Sequence, residues 1–167
     1  MNVTSSPDSK AALPRFPAEL IDSTPFLLKR LGFAVKEQAM EAYERFGLNP
    51  THHAVLAVLD EGTRETQGAI ADALGYDRGQ LVGLLDELEE RGLVERRRDP
   101  SDRRRQHVQL TPAGRRTLTR LRAVAQELEN SFLAALSAEE RAGLHTALRR
   151  LAEQHLPRCA VGSPNAR

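Results

Sequence analysis

The chain has 167 residues, 28% of them charged and 4% aromatic, with no tryptophan. That length suits one domain with extensions, and its core must be built from Leu, Val and Ala. A single cysteine rules out an internal disulfide, no run of 18 apolar residues could span a membrane, and the first twenty residues lack the order of a signal peptide. The expectation is a cytoplasmic protein.

Residues 1–22 hold three prolines among Ser, Thr and Asp, and read as a flexible or extended arm. Thr24-Pro25 is an N-cap followed by proline, and predicts a helix running to about Phe46 and stopping at Gly47. Asn49-Pro50 repeats the signal for a second helix that ends at Glu61-Gly62. A short helix over GAIADAL stops at Gly75. Asp77, with Gln80 three residues on, has the spacing of a capping box. The helix it opens repeats Leu81, Leu84, Leu85 and Leu88 and ends at Gly92. Its acidic run, Asp86 to Glu90, reads as a solvated face.

The character then changes. Leu93-Val94 and His107–Leu110 read as two short strands around the turn residues Asp99-Pro100-Ser101-Asp102. Thr111-Pro112 opens a long helix. There Leu118, Leu121, Ala125, Leu128, Phe132 and Ala135 recur at coiled-coil spacing. This seam fits either a partner chain or packing within the chain. Ser137 and Glu140 make a capping box for a last helix with Leu144, Leu148 and Leu151. Residues 157–167 form a tail.

The net charge of +1 conceals an asymmetry. From Arg91 to Arg122 there are eleven arginines against three acids, a local +8, which leaves −7 on the rest. Such clustering is the footprint of a polyanion site. There is no nucleophile–base arrangement, no Gly-rich phosphate loop and no carboxylate pair, so an enzyme is not expected. The fold class that follows is mostly α with a small β-hairpin wing: a winged helix-turn-helix over 49–110 flanked by helices at 24–47 and 111–156. In that geometry the helix after Gly75 lies in the DNA major groove.

Residues 67–115, above all GLVERRRDPSDRRRQHVQLTPAG, resemble the multiple-antibiotic-resistance regulator (MarR) family of transcription factors. The resemblance covers 24–155 and implies an obligate homodimer gripping double-stranded DNA, with the helices at 24–47 and 111–156 as its helical dimerization domain. It also implies that Arg104 of the wing enters the minor groove while Asp102 orients it. A guanidinium suits the negative potential of that groove. Arg103 and Arg105 are expected at phosphate or solvent. By strand alternation Arg97 faces away from Arg96 and Arg98, one face meeting phosphate. On the recognition helix Arg78, Gln80 and Val82 are the candidate base or phosphate contacts, whereas Gly83 can read no base. Thr66 and Gln67 suit the DNA backbone.

The family implies a small aromatic or phenolic effector, with Phe33, Tyr43 and His53 as candidate lining residues. His52-His53 stand where zinc-sensing members carry ligands, but the long helix after Thr111 has no histidine to complete a set. No metal or other cofactor is expected, and one packed and one exposed imidazole is the simpler reading. Cys159 reads as incidental. The alternative function is a constitutive DNA-binding or architectural protein without effector.

Overall fold

The computed structural model describes residues 15–62, 65–98 and 106–156. It divides into two compact units, residues 1–36 and 37–167.

In the first unit, helix α1 (Ala18–Ile21) precedes the start of helix α2 (Thr24–Glu44). The Phe16 ring meets the Phe26 ring edge-on at 5.2 Å, and the Arg30 guanidinium lies 5.1 Å above Phe16. The expected arm therefore gains structure over its last residues. Two aromatic rings and a cation-π contact give Phe16 a fixed seat that proline content alone does not reveal. Residues 1–14 lie outside the described part.

The second unit contains α3 (Pro50–Glu61), β1 (Glu65–Thr66), α4 (Gln67–Leu74), α5 (Arg78–Glu90), β2 (Val94–Arg98), β3 (Gln106–Leu110), α6 (Pro112–Phe132) and α7 (Ala138–His155). The strands form one antiparallel sheet in the order β1-β3-β2. The hairpin is longer than the expected strands. The two-residue β1 is too short to leave a periodic signal in the sequence.

Four of the predicted helix starts are capped as expected and Thr66 adds a further cap, whereas Thr24, expected as an N-cap, is the first helical residue of α2. Asn49, Thr66, Asp77, Thr111 and Ser137 each accept a hydrogen bond from a backbone N–H of the following turn, satisfying donors that a helix otherwise leaves open. Ser137 and Glu140 complete the expected box, and that bonding holds the Glu140 carboxyl below its usual range. Asp77 makes the forward half of its box through the N–H groups of Gly79 and Gln80. Gly75 ends α4 in the left-handed region at φ 72°, which lets the chain turn directly into α5.

Leu56, Ile70, Leu81, Leu85, Leu88, Val108, Leu118 and Leu121 fill a common core drawn from α3, α4, α5, the sheet and α6. Each such side chain stabilises the fold by roughly 2 kcal/mol relative to exposure. The apolar seam of α6 is thus partly internal. Leu118 and Leu121 are buried within the chain, and Val124 takes the buried position next to the expected Ala125. Its later residues, Leu128 and Phe132, are only partly covered. Among the described residues no helix is long and apolar enough to cross a membrane.

Candidate nucleic-acid interface

Helices α4 and α5 leave Gln67, Arg78 and Val82 around one cleft of about 210 Å³, with Gly68 and Leu81 completing its lining. Three residues singled out from the sequence are thus brought together. Leu81 points inward to the core, which turns positions 78, 79, 80, 82 and 83 of α5 outward. Arg78 and Gln80 therefore stand exposed on the first turn, beside the N-terminus of α5. Thr66 serves first as the cap of α4, its Oγ1 accepting from the Ala69 N–H at 3.2 Å. Its O–H is left to donate outward.

Val82 is 41% exposed and so offers an apolar methyl pair to the solvent face. An added Cβ at Gly83 would meet no atom within 4 Å. The fold does not require glycine there, and helix propensity disfavours it. Gly83→Ala is expected to raise unfolding free energy by about 0.5–1 kcal/mol in a denaturant titration. A loss of stability would show that glycine serves a packing role within the chain.

Two of the strand arginines meet protein partners. The cross-strand pairs Val94–Leu110 and Arg96–Val108 put position 96 on the core face of the hairpin, one step beyond buried Val94. The Arg96 side chain is therefore covered, and its guanidinium turns to α5. There it pairs with Asp86 and Glu89 and donates to the Val82 carbonyl at 3.3 Å. The Arg96 backbone N–H also donates to Glu89 at 3.1 Å. In place of the expected phosphate contact, this residue ties the wing strand to the recognition helix and offsets two carboxylates on it. Arg97 lies on the other face and pairs with Glu95 at 3.1 Å. Glu95 also accepts from the Gln109 amide, and this bond, more than the Arg97 charge, holds its carboxyl below the usual range. Arg98 is exposed at the end of the strand. Asp102, Arg103, Arg104 and Arg105 lie outside the described residues.

The acidic run of α5 is consequently not a plain solvated face. Asp86 and Glu89 hold Arg96, Glu87 holds His52, and Leu88 is fully buried. Sequence reading missed this because the partners come from a strand and a helix remote along the chain.

The two adjacent histidines diverge. His52 is 2% exposed, and its Nε2 lies 2.9 Å from Glu87. His53 is partly covered, not exposed as expected, and its Nδ1 lies 2.7 Å from the Tyr43 hydroxyl. Burial raises the Tyr43 pKa, so the phenol keeps its proton and donates to His53. Burial, and then the charge of Arg122, lowers the His53 pKa. Arg122 and Arg115 both reach Asp60, at 2.9 and 3.2 Å. Of the three expected effector-lining residues, Tyr43 and His53 are in contact, while Phe33 belongs to the first unit and is 51% exposed. Among the described residues no cluster of three or more His, Cys, Asp or Glu could hold a metal ion. Cys159 lies outside them.

The LTPAG end of the signature has a structural role. Thr111 Oγ1 donates to the carbonyls of Gly92 and Leu93 and accepts from the Gly114 N–H. The Thr111 N–H also reaches the Leu93 carbonyl. The start of α6 is thereby locked to the start of the wing.

Comparison with known proteins agrees with this geometry. The MarR family model matches residues 46–105. A protein of Thauera aromatica, named as a transcriptional regulatory protein for the hcr operon, is 32% identical over 145 residues, which is 82% of this chain and 86% of the relative. A MarR-family transcriptional regulator from Rhodococcus sp. RHA1 superposes with a TM-score of 0.71 at 31% identity, over 81% of this chain and 96% of that one. The transcriptional repressor CouR bound to a 23-mer DNA duplex gives a TM-score of 0.74 at 35% identity, over 81% and 96%. CouR from Rhodococcus jostii RHA1 bound to p-coumaroyl-CoA gives 0.68 at 33%, over the same shares. Matched by the family model over residues 46–105 and by these relatives along most of its length, the chain belongs to the MarR family of transcriptional regulators.

Proposed function

We propose that the protein is a ligand-responsive repressor that binds a pseudo-palindromic operator as a homodimer. The observation that carries the reading is the group of exposed Arg78, Gln80 and Val82 on α5 with half-buried Gln67 on α4, together with a hairpin whose described end is Arg98. In this reading α5 enters the major groove and the hairpin, with Asp102 orienting Arg104, reaches the minor groove. Arg98, Arg103 and Arg105 serve phosphate, and Arg96 positions the hairpin. A related repressor at 35% identity binds duplex DNA.

Residues 24–47 and 111–156 form the dimerization part in this proposal. Leu144, Leu148 and Leu151 of α7 are 37–43% exposed at helical spacing, an apolar row that a second copy would cover. In the first unit Leu27, Leu28 and Leu31 are equally uncovered. The effector is an aromatic acid or its thioester, taken up near the Tyr43–His53 pair. A relative at 33% identity binds p-coumaroyl-CoA, which is such a molecule. The ligand acts by binding better to a state with altered half-site spacing.

Selection of bound fragments from random or genomic DNA tests the reading directly. A recovered palindrome with half-sites about one helical turn apart is expected. With about eight phosphate contacts per dimer, log affinity against log salt should have a slope near −7. A flat salt dependence would remove the wing assignment. A thermal-shift series with phenolic carboxylates and aromatic acyl thioesters tests the effector, since a ligand of the native state raises stability by mass action. No shift with any of them would favour a constitutive DNA-binding protein.

A further inference from the structure

His52 occupies an unusual place. It is the third residue of α3, where a capping box ordinarily has Glu or Gln. Its Nδ1 accepts from the Asn49 backbone N–H at 3.2 Å, while its own N–H donates to the Asn49 side chain at 3.0 Å. An imidazole thus closes the box. Because Nδ1 faces an N–H donor, its lone pair must be free. The single ring proton then sits on Nε2, which faces Glu87 of α5 at 2.9 Å. One neutral tautomer satisfies both neighbours.

The surroundings restrict what this ring can become. His52 lines a cavity of about 380 Å³ with Glu44 from α2 and Glu87 and Arg91 from α5. On its own helix His53 is turned to Tyr43. Of the charged neighbours, Glu87 favours a second ring proton and Arg91 opposes it, and burial opposes it more than either, so the pKa lies below the ordinary histidine value. A second proton has only Nδ1 to go to. There it would point at the Asn49 N–H, removing the acceptor that holds the start of α3 and setting two donors against each other.

We propose that His52 is a positioning residue for DNA binding: in its neutral Nε2–H form it ties the α3 cap to the recognition helix α5 through Glu87, and acid weakens DNA binding by protonating Nδ1. This rests on the DNA-binding reading above. The sign follows from linkage. A histidine whose folded pKa is lowered stabilises the folded arrangement fully above the unfolded value of about 6.5, and that contribution is lost as pH falls from there toward the folded pKa. Simple electrostatics predicts the opposite trend, because a gain of positive charge would strengthen binding to a polyanion.

The test measures affinity for the duplex recovered by selection, between pH 7.5 and 5.5 at fixed salt. The wild type is expected to weaken by at least about fivefold toward pH 5.5, within the limit of tenfold per pH unit for each linked proton, of which a dimer carries two. His52→Gln supplies the usual capping-box residue without a titrating ring. Whatever its affinity at pH 7.5, it should lose the acid weakening. Glu87→Gln keeps an acceptor for Nε2–H but removes the charge that favours the second proton. It should move the acid midpoint to lower pH. Equal pH profiles for wild type and His52→Gln, or an unmoved midpoint in Glu87→Gln, would overturn the proposal.

A nitrogen-15 NMR titration of the free protein separates this proposal from the DNA-binding reading. It should show the neutral Nε2–H tautomer at pH 7.5, with α5 amides from Glu87 to Arg91 shifting at the His52 midpoint. Amides of α5 that ignore the titration overturn the coupling whether or not DNA binds. Conversely, a free protein that behaves as described but binds no duplex at low salt contradicts the DNA-binding reading alone.

Discussion

Replacing Arg104 by alanine is expected to weaken operator binding about 100-fold while leaving thermal unfolding unchanged. Arg98 and Gln106 are paired partners at the described end of the hairpin, and residues 99–105 join them. The six arginines from Arg96 to Arg105 thus do unequal work. Arg96 is held by Asp86 and Glu89, and Arg97 by Glu95. Those ion pairs already spend much of what arginine count alone would assign to DNA. In the proposed reading the groove contact falls to Arg104, and a dimer would present it twice. At about 1–3 kcal/mol for each contact, two copies correspond to about two decades of affinity. The salt slope should become shallower by about two phosphate equivalents or less. Asp102→Ala should cost less, about tenfold, because it removes the orienting carboxylate and not the guanidinium. Arg149→Ala on α7, where the side chain makes only an exposed pair with Glu153, should change affinity less than twofold. Equal effects of Arg104→Ala and Arg149→Ala in a fluorescence titration would sink the wing assignment.

Gly114→Ala is expected to cost about 3 kcal/mol of stability and to lower Tm by roughly 6–12 °C. A Cβ on Gly114 would stand 2.0 Å from the Leu93 carbonyl oxygen and 3.0 Å from its carbon. Both obstacles are backbone, so no rotamer change relieves them. The Leu93 oxygen also receives the Thr111 N–H at 3.1 Å and the Thr111 hydroxyl at 3.2 Å. Pushing α6 away to make room would therefore break the lock between α6 and the wing as well. Calorimetry or denaturant unfolding reads the effect. A Tm within 2 °C of wild type would mean that α6 and the wing strand are less closely set than the structure shows. The contrast with Gly83→Ala is the informative part: the same substitution on another helix should stabilise, because one glycine faces backbone and the other faces open space.

The LTPAG segment thus has two parts. Leu110 fills the core at 6% exposure, while Thr111 and Gly114 fix the angle at which the long helix leaves the sheet. In the proposed reading, a signal passing from the helical part to the hairpin needs that joint to be stiff. The Arg96 clamp and the His52–Glu87 contact do the same on the other side of α5. The recognition helix is thereby held from the wing and from the start of α3 at once.

The sequence by itself determined the helix starts and most of the stops, because capping is local chemistry. Asn49-Pro50, Asp77, Thr111-Pro112 and Ser137 carry their signals within four residues, and Gly75 announces its positive φ by lacking a Cβ. It also determined the hairpin and the family, since the spacing of GLV, DPSDRRR and LTPAG is written along the chain. What only the tertiary structure decided is where each charge is spent. Arg96 and Arg98 look alike in sequence, yet one faces the carboxylates of α5 and the other faces solvent. His52 and His53 are neighbours, yet one closes a helix cap against Glu87 and the other forms a hydrogen bond with the Tyr43 hydroxyl. The physical reason is that a charged or titratable side chain is defined by partners 7 to 35 residues away, whose approach is set by packing of the core and leaves no periodic trace in the chain.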